Sequence, residues 1–523
     1  MNLLAYSLLW LIAALFPLTD ADVWWHLASA REMFAQGTLL YTDPFTYTAL
    51  GQTWTNVHWL YQLLIYGIYN AFGAQGAMAL VVFHAMLWTI AAWAWTKPKQ
   101  SLGAWAFVVP LLWATHFLLL ARPLVLTLLI LGLQKRLFEQ ERLSRLGIAG
   151  IMALQVVLAN VQGLFLLGPI FLVLQGVAQK YPWRKVIAIS GAMLCVSSLH
   201  PAGPRVLLYP CKLLWRLRPG NLFAERISEN ASPLHALLSP FHLQGSGTAE
   251  TWAALALLVL TVFLIWNWIH KTSRLWMVEL PLLILAWLSL RNIPLLLIVA
   301  LPHVLNHTLE GRQLRIHKAL GLSMLVALAL AQVQWWRVYP AAVAPFRYSD
   351  GAMQWLNSHG SWNAKNPLRL FCETRQGGYA EWKNYPKILT HIDGRLILRD
   401  EAFFQEYLSL ADDVTRFDSY AMRFQIDAVL LPVSYPTLFQ GLAAYLGKSP
   451  QWDLVFVDES AWLFLNKNAA GTLAGNPWQI RPSALDSIWA DFGVRSQKWS
   501  PLVAREGHFW LLHSVSIISR TDF

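Results

Sequence analysis

Apolar runs recur along this chain from Met1 to about Gln334, each separated from the next by a short polar connection. A bilayer accommodates such a series; a single water-soluble core does not. Beyond Gln334 the residue mix becomes that of an ordinary globular domain. At 56% hydrophobic and 13% charged, the chain has about half the charged share usual in soluble domains. The expected fold class is therefore mostly α, a polytopic transmembrane helical domain over residues 1–334 followed by a soluble α/β domain over 345–468. Residues 469–523 form a tail to which the sequence assigns no role. Residues 1–18 carry no Lys or Arg and precede many further apolar runs, so an uncleaved first span is expected in place of a signal peptide.

The net charge of +11 would draw nucleic acid if it lay on one face, but the basic residues sit in short connections. The pieces TKPKQ (96–100), QKRLFEQERLSR (134–145), QKYPWRK (179–185), HKTSR (270–274) and EGRQLRIHK (310–318) hold most of the positive charge of this region, which places them in the cytoplasm. No nucleic-acid partner is expected. The alternating connections then face outward: the first loop 19–57, ARP at 121–123, NVQG at 160–163, the segment from about 199 to 250, and Arg291 with Asn292. The run 58–72 is short and aromatic, so it reads as interfacial. That leaves about eleven crossings, an inside N-terminus and an outside soluble domain. Of the three cysteines, Cys195 reads as a core thiol, a Cys211 to Cys372 disulfide stays open, and none has metal-ligand spacing.

The outward connections hold the polar residues hardest to explain as filler. Arg122, Asn160, Gln162, Arg291 and Asn292 interrupt apolar runs, and an ionisable residue at membrane depth costs ~2.5 to 3.5 kcal/mol, so it faces a partner or a wet cavity. Snorkelling to headgroups is the plainer alternative for each arginine. In the first loop, DVWWHLASAREMFAQG places Val23, Leu27, Ala30 and Phe34 at helical spacing. It is expected to lie on the membrane, with Trp24, Trp25, Trp54 and Trp59 near the headgroups. Asp20 and Asp22 fall at the start of this helix, where one is expected to cap it and the other is a candidate general base. Asp43, before Pro44, reads as a turn-former.

In the soluble part LRLFCET, KILTHID, IDAVLLPV and DLVFVDESAWLFLNK read as strands, and GAMQWLNSHG, EAFFQEYLSLADDVTRF and TLFQGLAAYLG as helices. Gly377 and Gly378 read as a tight turn. Asp393, Gly394 and Arg395 read as a turn closed by a local ion pair.

The order D-x-D-x-W-W-H-L, T-D-P-F-T-Y-T and G-x-x-W-x-x-x-x-W-L resembles the first outer loop of bacterial membrane proteins of the GT-C glycosyltransferase type. ARPLVLTLLI, LANVQGLFLLG, SLHPAGPRVLLYP, LSLRNIPLLLI, GGYAEW and HIDGRLIL are similar to further elements of that family, in the same order, up to about Lys467. The chain departs from it at VHWL (57–60), where relatives carry H-E-W-L, and at Gln162, which replaces a histidine. The resemblance implies an inner-membrane, multi-pass enzyme that moves a sugar from a polyprenyl-phosphate carrier to an acceptor glycan, lipid or protein on the outer face. In an inverting transfer, Asp22 or Asp20 would serve as base. Arg122 and Arg291 would hold the departing phosphate. His26 and His58, with Asn160, Gln162 and Asn292, are candidates for hydrogen bonds to phosphate or sugar. A divalent metal stays open, since His26 with Asp22 makes only an i,i+4 pair. A non-catalytic membrane scaffold or a lipid-linked-saccharide flippase would display similar arginines, although no internal repeat supports the latter.

Overall fold

The computed structural model describes residues 2–95, 105–139, 143–238 apart from 217, 219, 228 and 229, 247–270, 276–305, scattered positions from 322 to 343, and 348–467 apart from 433–438 and 459. TKPKQ (96–100), EGRQLRIHK (310–318), most of HKTSR and the tail 469–523 lie outside the described residues. The chain forms two compact units. One comprises residues 1–18 and 57–342; the other comprises 19–56 and 343–523.

The first unit is helical. Two of its helices, Gly73–Trp95 and Glu250–His270, are long and apolar enough to cross a membrane, whereas Phe107–Leu118, Arg145–Val161, Leu167–Ala178, Trp276–Leu288 and Leu290–Pro302 are shorter. Where about eleven crossings were expected, two helices among the described residues reach the length. Three of the shorter helices carry a proline inside them, Pro110, Pro281 and Pro302. The expected interfacial segment is a helix, Trp59–Ala71. Small residues set the helix spacing: a Cβ on Gly132 would come within 2.8 Å of the Ala94 Cβ, and one on Gly176 within 2.6 Å of a Val186 methyl. Trp10 stacks on Trp88 at 6.3 Å. Arg136 donates to the carbonyls of Ala94 and Trp93 at 2.7 and 2.6 Å, capping the helix that ends at Trp95.

The second unit is built on a five-stranded sheet in the order β2-β1-β3-β5-β4. Its strands are β1 (Leu368–Cys372), β2 (Ile388–Thr390), β3 (Ala428–Pro432), β4 (Trp452–Val457) and β5 (Ala461–Asn466). The first three run parallel, and β5 pairs antiparallel with both β3 and β4. Four of them fall inside the runs predicted from sequence, and β4 begins one residue earlier, at Trp452. β3 is buried at every position, as a strand covered on both faces must be.

Residues 19–56 belong to this unit, not to the membrane surface. Helix Asp22–Gln36 forms as its spacing predicts, but Trp24 and Trp25 are buried instead of lying among headgroups. Trp24 packs edge-on against Tyr348 and Tyr379, at 5.3 and 4.9 Å. Arg31 caps the C-terminal end of helix Thr374–Asn384 by donating to the carbonyls of Trp382 and Glu381 at 2.6 and 3.1 Å. Further on, Tyr47 N and Thr390 N exchange hydrogen bonds with Thr390 O and Phe45 O at 3.1 Å each, so this segment covers the open edge of β2. The Tyr47 hydroxyl meets His391 Nδ1 at 2.8 Å, and the Thr48 hydroxyl donates to His391 O at 2.5 Å.

The fastening at the centre is ionic. Asp43 accepts from the backbone of Phe45 and Thr46, confirming its turn, and pairs with Arg395 Nη1 at 2.8 Å. Arg395 also donates through Nε to Asp393 at 2.7 Å and lies 4.9 Å over both Phe45 and Trp54. Trp54 is thus a buried lid on this cation and not an interface anchor. The three cysteines are free; Cys372 is buried, while Cys195, expected in the core, and Cys211 are exposed. Replacement of Arg395 by alanine would leave Asp43 and Asp393 buried without their cation, and the expected cost is about 3 to 5 kcal/mol. A thermal or urea midpoint of the full chain in detergent that stays at the wild-type value would contradict this.

Candidate functional site

The site residues inferred from sequence divide between the units: Asp20, Asp22 and His26 in the α/β unit, and His58, Arg122, Asn160, Gln162, Arg291 and Asn292 in the helical one.

The two aspartates have different tasks. Asp20 is buried, and its Oδ1 accepts the backbone N–H of Asp22 at 3.1 Å, which satisfies one of the donors left open at a helix start. Asp20 is the cap. Asp22 is half-buried on the first turn of helix Asp22–Gln36, where Trp25 Nε1 donates to its Oδ1 at 3.1 Å. His26 is buried, with its ring 3.6 Å from that of Trp25.

In the helical unit, the residues around 58 and 160 come together. Trp59 Nε1 donates to Asn160 Oδ1 at 2.8 Å. Asn160 Nδ2 donates to Val156 O at 2.8 Å, and His58 Nδ1 lies 3.1 Å from Val161 O. Gln162 Oε1 accepts from Gly163 N at 2.8 Å. The amide of Asn160 thereby shapes the turn that carries Gln162. The Tyr61 hydroxyl donates to Ala121 O at 2.8 Å and sits 3.0 Å from His84 Nε2, steadying the backbone beside the half-buried Arg122. Arg291 is exposed and donates to Asn230 Oδ1 at 3.0 Å, while Asn292 donates to Leu285 O at 2.9 Å and closes helix Trp276–Leu288.

Sequence reasoning missed the neighbours of Asp22. Gly377 and Gly378 do not make a tight turn; they lie inside helix Thr374–Asn384, which packs against helix Asp22–Gln36. The D-G-R segment is a turn with the expected ion pair, since Asp393 Oδ1 accepts Arg395 N at 2.7 Å, but it is buried and shared with Glu381. Glu381 Oε1 accepts from the Thr390 hydroxyl at 2.6 Å and lies 3.8 Å from Arg395 Nη2. Burial first, and the charge of Asp393 second, push Glu381 well above the ordinary carboxylate range. Burial opposes ionisation of Asp393 as well, but Arg395 beside it outweighs that and brings it below its usual value.

Among the described residues, no group of three or more His, Cys, Asp and Glu is arranged to hold a metal ion.

No protein-family profile matches the chain, and no curated protein matches it in sequence. Solved structures do match in fold. An Archaeoglobus fulgidus oligosaccharyltransferase, AglB, in complex with an inhibitory peptide and a dolichol-phosphate, superposes with a TM-score of 0.53 at 11% identity, covering 84% of this chain and 70% of its own. The Archaeoglobus fulgidus oligosaccharyltransferase in complex with Zn and sulfate gives 0.52 at 11% identity, over 89% and 73%. The chain has an oligosaccharyltransferase-like fold. The likeness runs over most of the length of both chains.

The raised Glu381 makes the α/β unit sensitive to alkali. Folded Glu381 holds a proton that the unfolded chain releases, so stability falls as pH rises above the ordinary carboxylate range towards the raised folded value. Glu381→Gln keeps an acceptor for Thr390 while removing the titration. Its thermal midpoint is expected to gain steadily on that of the wild type between about pH 5 and pH 8; parallel midpoint curves would show that Glu381 is already ionised.

Proposed function

We propose that this protein is an integral membrane glycosyltransferase that transfers a sugar from a polyprenyl-phosphate carrier to an acceptor hydroxyl on the extracytoplasmic face, with inversion at the anomeric carbon. The observation that carries the reading is Asp22, a half-buried carboxylate on a helix's first turn in an oligosaccharyltransferase-like fold, oriented by Trp25 and relieved of capping by Asp20. The dolichol-phosphate bound to AglB is a lipid-linked phosphate, which supports a donor of that class. Membrane embedding is supported by Glu250–His270, whose Val262 and Ile269 are 62% and 73% exposed, an apolar surface that water disfavours.

In the reaction, Asp22 takes the proton of the acceptor hydroxyl as its oxygen bonds to the anomeric carbon. The bond from that carbon to the carrier phosphate breaks, and the phosphate leaves with its charge held by Arg122 and Arg291. Guanidinium suits that task because its planar fork matches phosphate oxygens and stays charged. Arg205, Lys212, Arg216 and Arg218 have a different role, contact with anionic headgroups; in keeping with it, Arg216 lies 3.7 Å over Phe223 and Arg218 lies 4.1 Å over Trp215.

Purified full-length protein in lipid, offered a panel of labelled polyprenyl-phosphate sugars, is expected to transfer at least one of them. Asp22→Asn should slow transfer by about 10²- to 10⁴-fold, and Asp20→Asn should act mainly on stability. Arg122→Ala and Arg291→Ala should abolish transfer, whereas Arg216→Ala and Arg218→Ala should preserve it. Full turnover by Asp22→Asn would refute the base assignment, and no transfer with any donor would favour a non-catalytic scaffold.

A further inference from the structure

Two glycines, Gly378 and Gly394, come close to the first turn of helix Asp22–Gln36, and a third, Gly377, lies against the turn that carries Gly394. A Cβ on Gly394 would stand 2.5 Å from Asp22 Oδ1 and 3.1 Å from Trp25 Nε1, the two atoms joined by the hydrogen bond that orients the carboxylate. A Cβ on Gly378 would stand 3.0 Å from Trp25 N and 3.1 Å from Trp25 Cβ. A Cβ on Gly377 would overlap Ile392 O and come within 2.9 Å of Asp393 Cα, forcing apart the helix that carries the glycine pair and the turn that carries Gly394.

We propose that Gly377, Gly378 and Gly394 form a socket without Cβ atoms that positions the Asp22 carboxylate, with Gly394 as its positioning residue. The G-G pair lets helix Thr374–Asn384 approach both the Asp22 helix and the D-G-R turn to backbone distance. The turn is then locked from behind by the Asp393–Arg395 pair and by Asp43, while Trp54, over Arg395, also touches Trp25 edge-on at 6.2 Å. Asp22 is thus confined on one side by the Gly394 backbone and on another by the Trp25 indole. A carboxylate so held loses little further freedom when an acceptor hydroxyl arrives, which is what orientation contributes to rate. The catalytic consequence rests on the reading of Asp22 as base; the geometric claim does not.

Gly394→Ala is the informative change, because the atom its methyl meets is the end of a movable side chain. Gly394 is also absent from the glycines of positive φ, so alanine strains nothing there. The carboxylate is displaced and the fold survives. In full-length protein in lipid, carbodiimide labelling with glycine ethyl ester, read peptide by peptide by mass spectrometry, is expected to show Asp22 labelling rising severalfold in Gly394→Ala. Exposed Asp412 should stay constant, and buried Asp393 and Glu381 should stay protected. With an active donor, kcat should fall about 10- to 100-fold at unchanged KM. A purely structural role would instead raise labelling at Asp393 and Glu381 along with Asp22. Unchanged Asp22 labelling in a folded variant overturns the socket, whatever the activity. A labelling shift with undiminished kcat overturns its catalytic part, and a labelling shift in a protein that transfers nothing upholds the socket while removing the glycosyltransferase reading. Should Gly394→Ala not fold, Trp25→Phe, which deletes the indole donor together with part of the ring, is expected to give the same rise at Asp22, and its failure to do so counts against the proposal equally.

Discussion

The α/β unit depends on how one guanidinium is neutralised in a dry interior. Arg395 is almost fully buried, and its environment would disfavour the charge were it not flanked by Asp393, Asp43 and Glu381. Three carboxyl groups around one cation overcompensate it, and burial together with the charge of Asp393 raises Glu381 well above the ordinary carboxylate range. Burying such a cluster stabilises little by itself, but its geometry admits one arrangement of the chain. That arrangement brings a segment from near residue 43 to a turn near residue 394, and so makes the first loop part of a domain that otherwise begins some three hundred residues later.

Asp22 acquires its setting from that arrangement. It draws on three separate stretches of sequence: its own helix, the helix with the glycine pair, and the D-G-R turn. Each contributes the absence of something, a Cβ or a competing cap, as much as a contact. Asp20 takes the capping duty that Asp22 would otherwise share, and the indole of Trp25, which by composition belongs at a headgroup layer, fixes one carboxylate oxygen instead.

The sheet could be read directly from the sequence because β1, β3 and β5 are dense apolar runs bounded by polar turns, a pattern set by local burial alone. Helix Asp22–Gln36 was equally legible from its three- and four-residue spacing. Its burial partner was not, since tryptophan next to a membrane-like run satisfies the rule for interfacial anchors as well as the rule for a core, and only Tyr348 and Tyr379, far along the chain, decide between them. Gly377 and Gly378 misled for a related reason: local propensity reads a glycine pair as a break, whereas the helix keeps it because another backbone passes within van der Waals reach. The pairing of Asp393 with Arg395 was visible; the third and fourth members, Asp43 and Glu381, were not, because nothing short-range ties them to the turn.

The discontinuity of the α/β unit sets an order of events during synthesis. Arg31 and Asp43 are made long before Trp382 and Arg395, and at roughly 5 to 20 residues per second the interval is on the order of tens of seconds. Throughout it, Trp24, Trp25 and Phe45 have no core to enter, and the strand edge that the loop will cover does not yet exist. Closure across so long a chain span is entropically expensive and slow to nucleate. A nascent chain of this design therefore has to shelter an aromatic, acidic flap until its C-terminal half emerges, which makes the flap the natural point of attack for a chaperone or a protease.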